Sequence, residues 1–147
     1  MLKRIIPVLL LKGNGLVKGV KFRNHRYIGD PINTIKIFND KEVDELIILD
    51  ILATQEGRCI DPVLVGNLAD ECYMPFAVGG GISDINQISN LIRQGAEKVV
   101  LNSVLSSNLD LVRTASKRFG SQSIVVCIDL SLYGTAIRSH LQKGSNL

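Results

Sequence analysis

Hydrophobic positions along this chain follow two alternating rhythms. Unbroken apolar runs dominate residues 5–11, 45–50, 75–78, 98–101 and 124–128, without the in-out alternation of a half-exposed strand. Such runs suit strands buried on both faces, as in parallel sheets covered by helices. Between them the apolar positions recur at helical spacing. Ile32, Ile35 and Phe38 mark a first helix and residues 63–72 a second. Ile85, Ile88, Leu91 and Ile92 mark a third, and residues 108–119 a fourth. The punctuation agrees. Asp30-Pro31 and Asp61-Pro62 each offer a cap followed by proline at the first helical position. Ser83 or Asp84 can cap the third helix, and Gly95 and Gly120 follow the third and fourth. Pro7 cannot donate to a ladder, which predicts a bulge or a strand edge there.

The order is therefore β-α four times and then a fifth strand. It predicts an α/β fold with a parallel sheet and right-handed crossovers. A doubly wound sheet and a (β/α)8 barrel both satisfy it. A full barrel takes ~250 residues, and this chain has 147. Two segments stand apart. Residues 12–29 show no helical period and set Gly13, Gly15 and Gly19 among Lys12, Lys18, Lys21, Arg23, His25 and Arg26. A loop of that length reads as a lid over a site, or else as an exposed basic hairpin. Beyond Asp129 the chain turns polar and irregular, either a hairpin around Tyr133-Gly134 or a frayed end. Residues 1–129 are thus expected to form the folded unit and 130–147 a tail or partial hairpin.

Composition narrows the function. With 46% hydrophobic and 21% charged residues the chain suits one globular domain with a real core. No apolar run approaches the ~18 residues of a membrane helix, and the first residues lack the shape of a signal peptide. A cytoplasmic protein without a membrane partner is expected. A net charge of +3 fits a small anionic substrate, but with 5% aromatic residues it is too mild to indicate nucleic acid. Cys59, Cys72 and Cys127 are odd in number and widely spaced. They suit neither a disulfide framework nor a metal site and read as reduced thiols. No metal or cofactor is called for.

In either parallel fold, chemistry gathers where strands end and helices begin. The most distinctive such place is Gly79-Gly80-Gly81, set between a strand and a helix start. Three glycines are entropically costly and bring no side-chain packing, but their backbone can approach a ligand closely. With helix N–H groups just behind, the natural guest is a phosphate, the alternative being a tight turn without a ligand. Asn102-Ser103 ends the next strand, where its amides and hydroxyl could take other oxygens of the same anion. Asp129 closes the fifth strand as a candidate general acid or base, or as a loop brace. Asp50 has the same two readings, with bracing favoured. Lys18 could neutralise developing charge or be solvated. Arg4, Glu45 and Lys98 stand at strand starts, so they meet at the opposite face, where opposite charges could brace one another.

Together these residues resemble the cyclase subunit of imidazole glycerol phosphate synthase, from histidine biosynthesis. The matching signatures are Lys3-Arg4-Ile5-Ile6-Pro7, Gly15-Leu16-Val17-Lys18-Gly19, Gly29-Asp30-Pro31, Asp44-Glu45-Leu46 with Leu49-Asp50, residues 75–82, Gly95-Ala96-Glu97-Lys98-Val99, and Phe119-Gly120-Ser121-Gln122 with residues 125–129. They stay in register over about residues 2–129. The resemblance implies a (β/α)8 barrel built of two similar halves, each with a phosphate site. It implies a glutaminase partner at the strand-start face and ammonia passing through the barrel to a bis-phosphorylated ribulosyl-formimino carboxamide nucleotide. By resemblance Gly80, Gly81, Asn102 and Ser103 hold a substrate phosphate, Lys18 is the active-site loop lysine and Asp129 one of two catalytic acids. Arg4, Glu45 and Lys98 become members of the ammonia gate.

Two departures shape the expectations. The family's other catalytic acid ends strand one, and the residue in register is Leu10, which cannot exchange a proton. The second phosphate site and the fourth gate residue belong to a half that this chain does not include. Five parallel strands leave open edges, so the isolated chain is expected to dimerise, aggregate or need a complementing fragment. Three readings follow: a truncated cyclase of histidine biosynthesis, an ammonia-delivering relative paired with an amidotransferase in surface-polysaccharide synthesis, and a non-catalytic phosphate-binding half-barrel. The residue at position 10 separates the first two.

Overall fold

The computed structural model describes residues 3–133 and 136–139. Five strands pair in parallel and in chain order: β1 (Val8–Lys12), β4 (Leu46–Asp50), β5 (Phe76–Gly79), β6 (Lys98–Leu101) and β7 (Ile124–Val126). Helices α1 (Pro31–Asp40), α2 (Pro62–Glu71), α3 (Ile85–Arg93) and α4 (Leu109–Phe119) fill the crossovers, and each packs on the next. A doubly wound sheet would reverse its strand order midway to cover both faces. Here the order never reverses and the helices stay on one side. The chain is a partial (β/α)8 barrel of four βα units and a fifth strand.

The helices begin where the chain's punctuation puts them. The carboxylate of Asp30 accepts from Asn33 N at 2.9 Å, that of Asp61 from Val63 N at 2.9 Å, and that of Asp84 from Asn86 N and Gln87 N at 2.7 and 3.0 Å. Asn108 does the same for Leu111 N at 3.2 Å. Each bond satisfies an amide that a helix start leaves without an acceptor.

Register separates the two faces of the sheet. Leu9, Ile48, Val78, Val99 and Ile124 form one continuous row across the five parallel strands, and all pack in the helix-covered core. One residue on, Leu10, Leu49, Gly79, Val100 and Val125 form the row on the other face. No helix covers that second row, and Leu10 and Leu49 are only half-buried. Beside it Val8 is 52% exposed.

The structure departs from the sequence reading at two strand boundaries and decides between the two readings of residues 12–29. Strand one begins at Val8, three residues later than the apolar run, because Ile5 is bonded elsewhere. Its amide donates to Asp44 Oδ2 at 2.6 Å and its carbonyl accepts from Asp44 N at 3.1 Å, leaving Ile5 65% exposed. Likewise the fifth strand ends at Val126, two residues early. Residues 12–29 take the second of their two readings, the basic hairpin: β2 (Gly15–Val20) and β3 (Arg23–Gly29) form an antiparallel pair that extends the sheet beyond β1. Two-residue turns make the connections, Gly13-Asn14 from β1 to β2 and Lys21-Phe22 from β2 to β3. Lys21 and Phe22 take φ of 50° and 61°, a conformation that tight hairpins need and that these residue types rarely adopt. In the tail, β8 (Leu130–Tyr133) and β9 (Ala136–Ser139) pair antiparallel in a separate two-stranded sheet. The residues joining them, Gly134 among them, lie outside the described ones.

The uneven cover of the two faces has a measurable consequence. Ile48→Ala, on the helix side, should cost about 2–5 kcal/mol of stability. Ile47→Ala, on the uncovered face, should cost less than about half of that, as read from denaturant midpoints of the two variants. Burial also affects the thiols. Loss of water around Cys59, and then the charge of Asp84, push its pKa from an ordinary 9.0 up to about 11. Alkylation of Cys59 in the folded chain should therefore stay slow at pH 8 and accelerate only toward pH 11, followed by mass mapping. The sign for stability follows from linkage. A thiol whose folded pKa is raised favours the fold below its unfolded value, and that contribution drains away as pH rises between the two.

Candidate functional site

Parallel pairing places every strand end on one rim. There the ends of β1, β4, β5 and β6, the residues just past β7 and the β2–β3 hairpin enclose a cavity of about 710 Å³. Gly80 and Gly81 come from the turn after β5, Asn102 and Ser103 from the end of β6, and Asp129 from beyond β7. These five residues, read from separate stretches of sequence, line the same space. From the hairpin the lining is Gly19, Lys21, Phe22 and His25. Lys18 lies exposed on β2 and is not part of that lining.

Each wall has a local cause. β5 and β6 are neighbours, with Gly79 opposite Val100, so the glycine turn and the Asn102-Ser103 corner stand side by side. Ser103 opens a short 3-10 turn, Ser103–Ser106, with Asn102 as its preceding residue. The first amides of such a turn have no acceptor inside it and are free for a guest. Gly80 and Gly81 take φ of 134° and 61°, which L side chains rarely adopt. These glycines also have a packing role, contrary to the sequence reading. A Cβ on Gly79 would stand 2.9 Å from the Val100 side chain, and one on Gly80 2.6 Å from the Asp50 carbonyl oxygen. A Cβ on Gly81 would overlap the Arg58 carbonyl. Close backbone contact therefore demands glycine whether or not an anion binds.

Asp129 is half-buried, and its Oδ2 accepts from Asn102 Nδ2 at 2.9 Å. That bond fixes the orientation of the carboxylate. Asn102 thereby connects the glycine-serine corner to the acid. Leu10 lines the same cavity from β1. Cys127 lies there too, its thiol raised above the ordinary value by burial and then by the charge of Asp129, which keeps it protonated and a poor nucleophile.

Asp50 is a brace. It is 6% exposed, and its carboxylate is fully engaged by Arg58 Nη1 at 2.6 Å and by the amides of Leu52 and Ala53 at 3.0 and 3.2 Å. The loop it braces, residues 51–60, brings Thr54 into the cavity. Neither Thr54 nor Arg58 was picked out from the sequence. The available signal was length, because a long strand-to-helix loop at the carboxyl rim is where such folds keep their sites.

At the opposite rim Arg4, Glu45 and Lys98 do meet. Glu45 is 4% exposed and accepts from Arg4 Nη2 at 2.9 Å through Oε2 and from Lys98 Nζ at 2.5 Å through Oε1. A buried carboxylate needs such partners. The two cations come from before β1 and from the start of β6, so the cluster crosses the sheet below the uncovered face.

Known proteins resemble this chain over most of its length. The family model described as "Histidine biosynthesis protein" matches residues 4–145. A protein of Leptospira interrogans, provisionally named imidazole glycerol phosphate synthase subunit HisF, is 48% identical over 130 residues, 88% of this chain and 51% of that protein. The imidazole glycerol phosphate synthase subunit HisF of Exiguobacterium sibiricum is 47% identical over 134 residues, 91% of this chain and 54% of the relative. That of Thermosynechococcus vestitus is 48% identical over 127 residues, 86% and 45% of the two chains. The chain spans about half the length of these curated relatives. Matched over nearly its whole length, the chain belongs to the histidine biosynthesis protein family.

Proposed function

We propose that this chain carries the amino-terminal half of a HisF-type cyclase site, acting in the cytoplasm on a bis-phosphorylated ribulosyl-formimino carboxamide nucleotide with ammonia derived from glutamine. The observation that carries the proposal is the shared cavity of Gly80, Gly81, Asn102, Ser103 and Asp129 at the carboxyl rim. Amides and a hydroxyl on one wall suit a phosphate, and a fixed carboxylate stands beside it. In this reading the glycine-serine wall grips one phosphate and so positions the reacting part of the substrate. Asp129, oriented by Asn102, moves a proton. Lys18 acts from the β2–β3 hairpin when the hairpin folds toward bound substrate. The Arg4–Glu45–Lys98 cluster forms the ammonia gate at the strand-start rim, where a glutaminase subunit docks. The relatives' names, which call them subunits of a synthase, support a partner there.

The substrate's second phosphate belongs to the other half of such a barrel, as does the cover for the row of Leu10, Leu49 and Val100. Without that cover the 147-residue chain self-associates through its open sheet edge, where Val126 is 45% exposed.

One residue favours a second reading. Leu10 faces the cavity from β1, where the family resemblance calls for a second carboxylate. A chain without that acid suits ammonia delivery to a partner enzyme of surface-polysaccharide synthesis better than cyclisation. If cyclisation lacks only this proton carrier, Leu10→Asp in a barrel completed with the carboxyl-terminal half of a HisF relative should raise turnover by about 10²–10⁴-fold. It should also restore growth of a histidine auxotroph without histidine. Continued inactivity of a well-folded variant would reject the cyclase reading in favour of ammonia delivery.

A further inference from the structure

We propose that Thr54 is a further anion-contacting residue of the phosphate wall, and that Asp50 and Arg58 are positioning residues that hold it there. This rests on the phosphate reading above and adds a third wall to it. The argument starts from the loop of residues 51–60, which is tied at both ends. At its start, Asp50 Oδ1 accepts the amides of Leu52 and Ala53, which fixes the turn out of β4. Near its end, Arg58 N donates to the Ala53 carbonyl at 2.9 Å, and the Arg58 guanidinium reaches back to Asp50 Oδ2 at 2.6 Å. Glu56 takes the Arg58 Nε at 2.6 Å and aligns the same side chain from outside.

The closed loop rests directly on the glycine turn. Arg58's carbonyl occupies the space that a side chain on Gly81 would need, and Ile60 N donates to the Gly80 carbonyl at 2.9 Å. A shift of the loop must therefore move the glycine amides with it. Across the gap Thr54 Oγ1 lies 3.4 Å from Ser103 Oγ. That separation is long for a bond between two hydroxyls, so both protons are cheaply given up to a stronger acceptor. Thr54, Gly81 and Ser103 line both the main cavity and an adjoining one of about 270 Å³, which places them at the neck between the two. Two hydroxyls and glycine amides converging on one neck bind a phosphoryl group better than a carboxylate or a neutral polar group, because only the former has three acceptor oxygens to share.

The test is a titration of the 147-residue chain with inorganic phosphate, following the backbone amide signals of Gly81 and Ser103 by NMR. Thr54 is exposed, so Thr54→Val removes the hydroxyl at little risk to the fold. It should weaken phosphate binding about tenfold, the effect of one hydrogen bond to a charged group, with an unchanged Tm. Asp50→Asn keeps an acceptor for the two amides but loses the ion pair, and should weaken phosphate several-fold while the far-UV spectrum is kept. Arg58→Met should do the same and Arg58→Lys recover part of the loss, a pattern that a purely structural brace would not give below the Tm. Thr54→Val binding phosphate as tightly as the parent chain would overturn the inference and leave the glycine-serine wall standing. A parent chain that takes no phosphate at all would bring down both.

Discussion

Five strands laid side by side in the order in which they are made constrain everything else in this molecule. Each parallel neighbour requires a crossover, right-handed crossovers put successive helices on the same side, and an order that never reverses leaves the other side bare. One residue of register then decides between two fates. Leu9, Ile48, Val78, Val99 and Ile124 enter a helix-covered core, while Leu10, Leu49, Gly79, Val100 and Val125 lie on the face that no helix covers, where Leu10, Leu49 and Val125 are only half-buried. The same pairing sends all strand starts to one rim and all strand ends to the other.

The two rims treat buried charge differently. At the strand-start rim Glu45 is neutralised by two cations from distant parts of the chain, and the cluster is complete in itself. Such a buried group adds little net stability but tolerates few alternatives, since removing either partner strands a charge away from water. At the strand-end rim Asp50 is equally well engaged, by Arg58 and two amides, and is spent on shaping a loop. Asp129 differs from both. It is half-buried, has one described partner, Asn102, and keeps an oxygen available to the cavity. Of these three acids it is the one with unspent capacity.

Glycine in the turn after β5 serves packing and binding by the same means. Asp50 at the end of β4 leaves no room for a side chain at Gly80, and loop 51–60 leaves none at Gly81, while both glycines line the main cavity. An anion and a loop carbonyl make compatible demands on one pair of residues, so the presence of glycine alone does not reveal a ligand. What singles the place out is the convergence of Thr54, Ser103 and Asn102 around it.

Local chemistry was readable in the chain wherever a few neighbouring residues decide the outcome. Asp30-Pro31, Asp61-Pro62 and Asp84 set helix starts because a carboxylate and the amides it caps are close in sequence. Apolar runs marked the parallel strands because the side chains of both sheet faces are apolar, the helix-covered row and the uncovered one alike. For residues 12–29 the sequence left a lid loop and a basic hairpin both open, because the signal of the β2–β3 pair is weak. The Lys21-Phe22 turn uses residues that seldom take positive φ, and β3 is an exposed edge strand with few buried positions to set a period, while Gly13-Asn14 was the one conventional clue. Sequence alone thus determined the succession of elements, their caps and the residue types at each strand end. Tertiary structure decided which of those ends share a cavity, that Asp50 is consumed by Arg58, and that Thr54 reaches Ser103. Those outcomes depend on distances between segments far apart in sequence, 49 residues for Thr54 and Ser103 and more for the walls of the cavity, which follow from strand order and loop closure and from no local pattern.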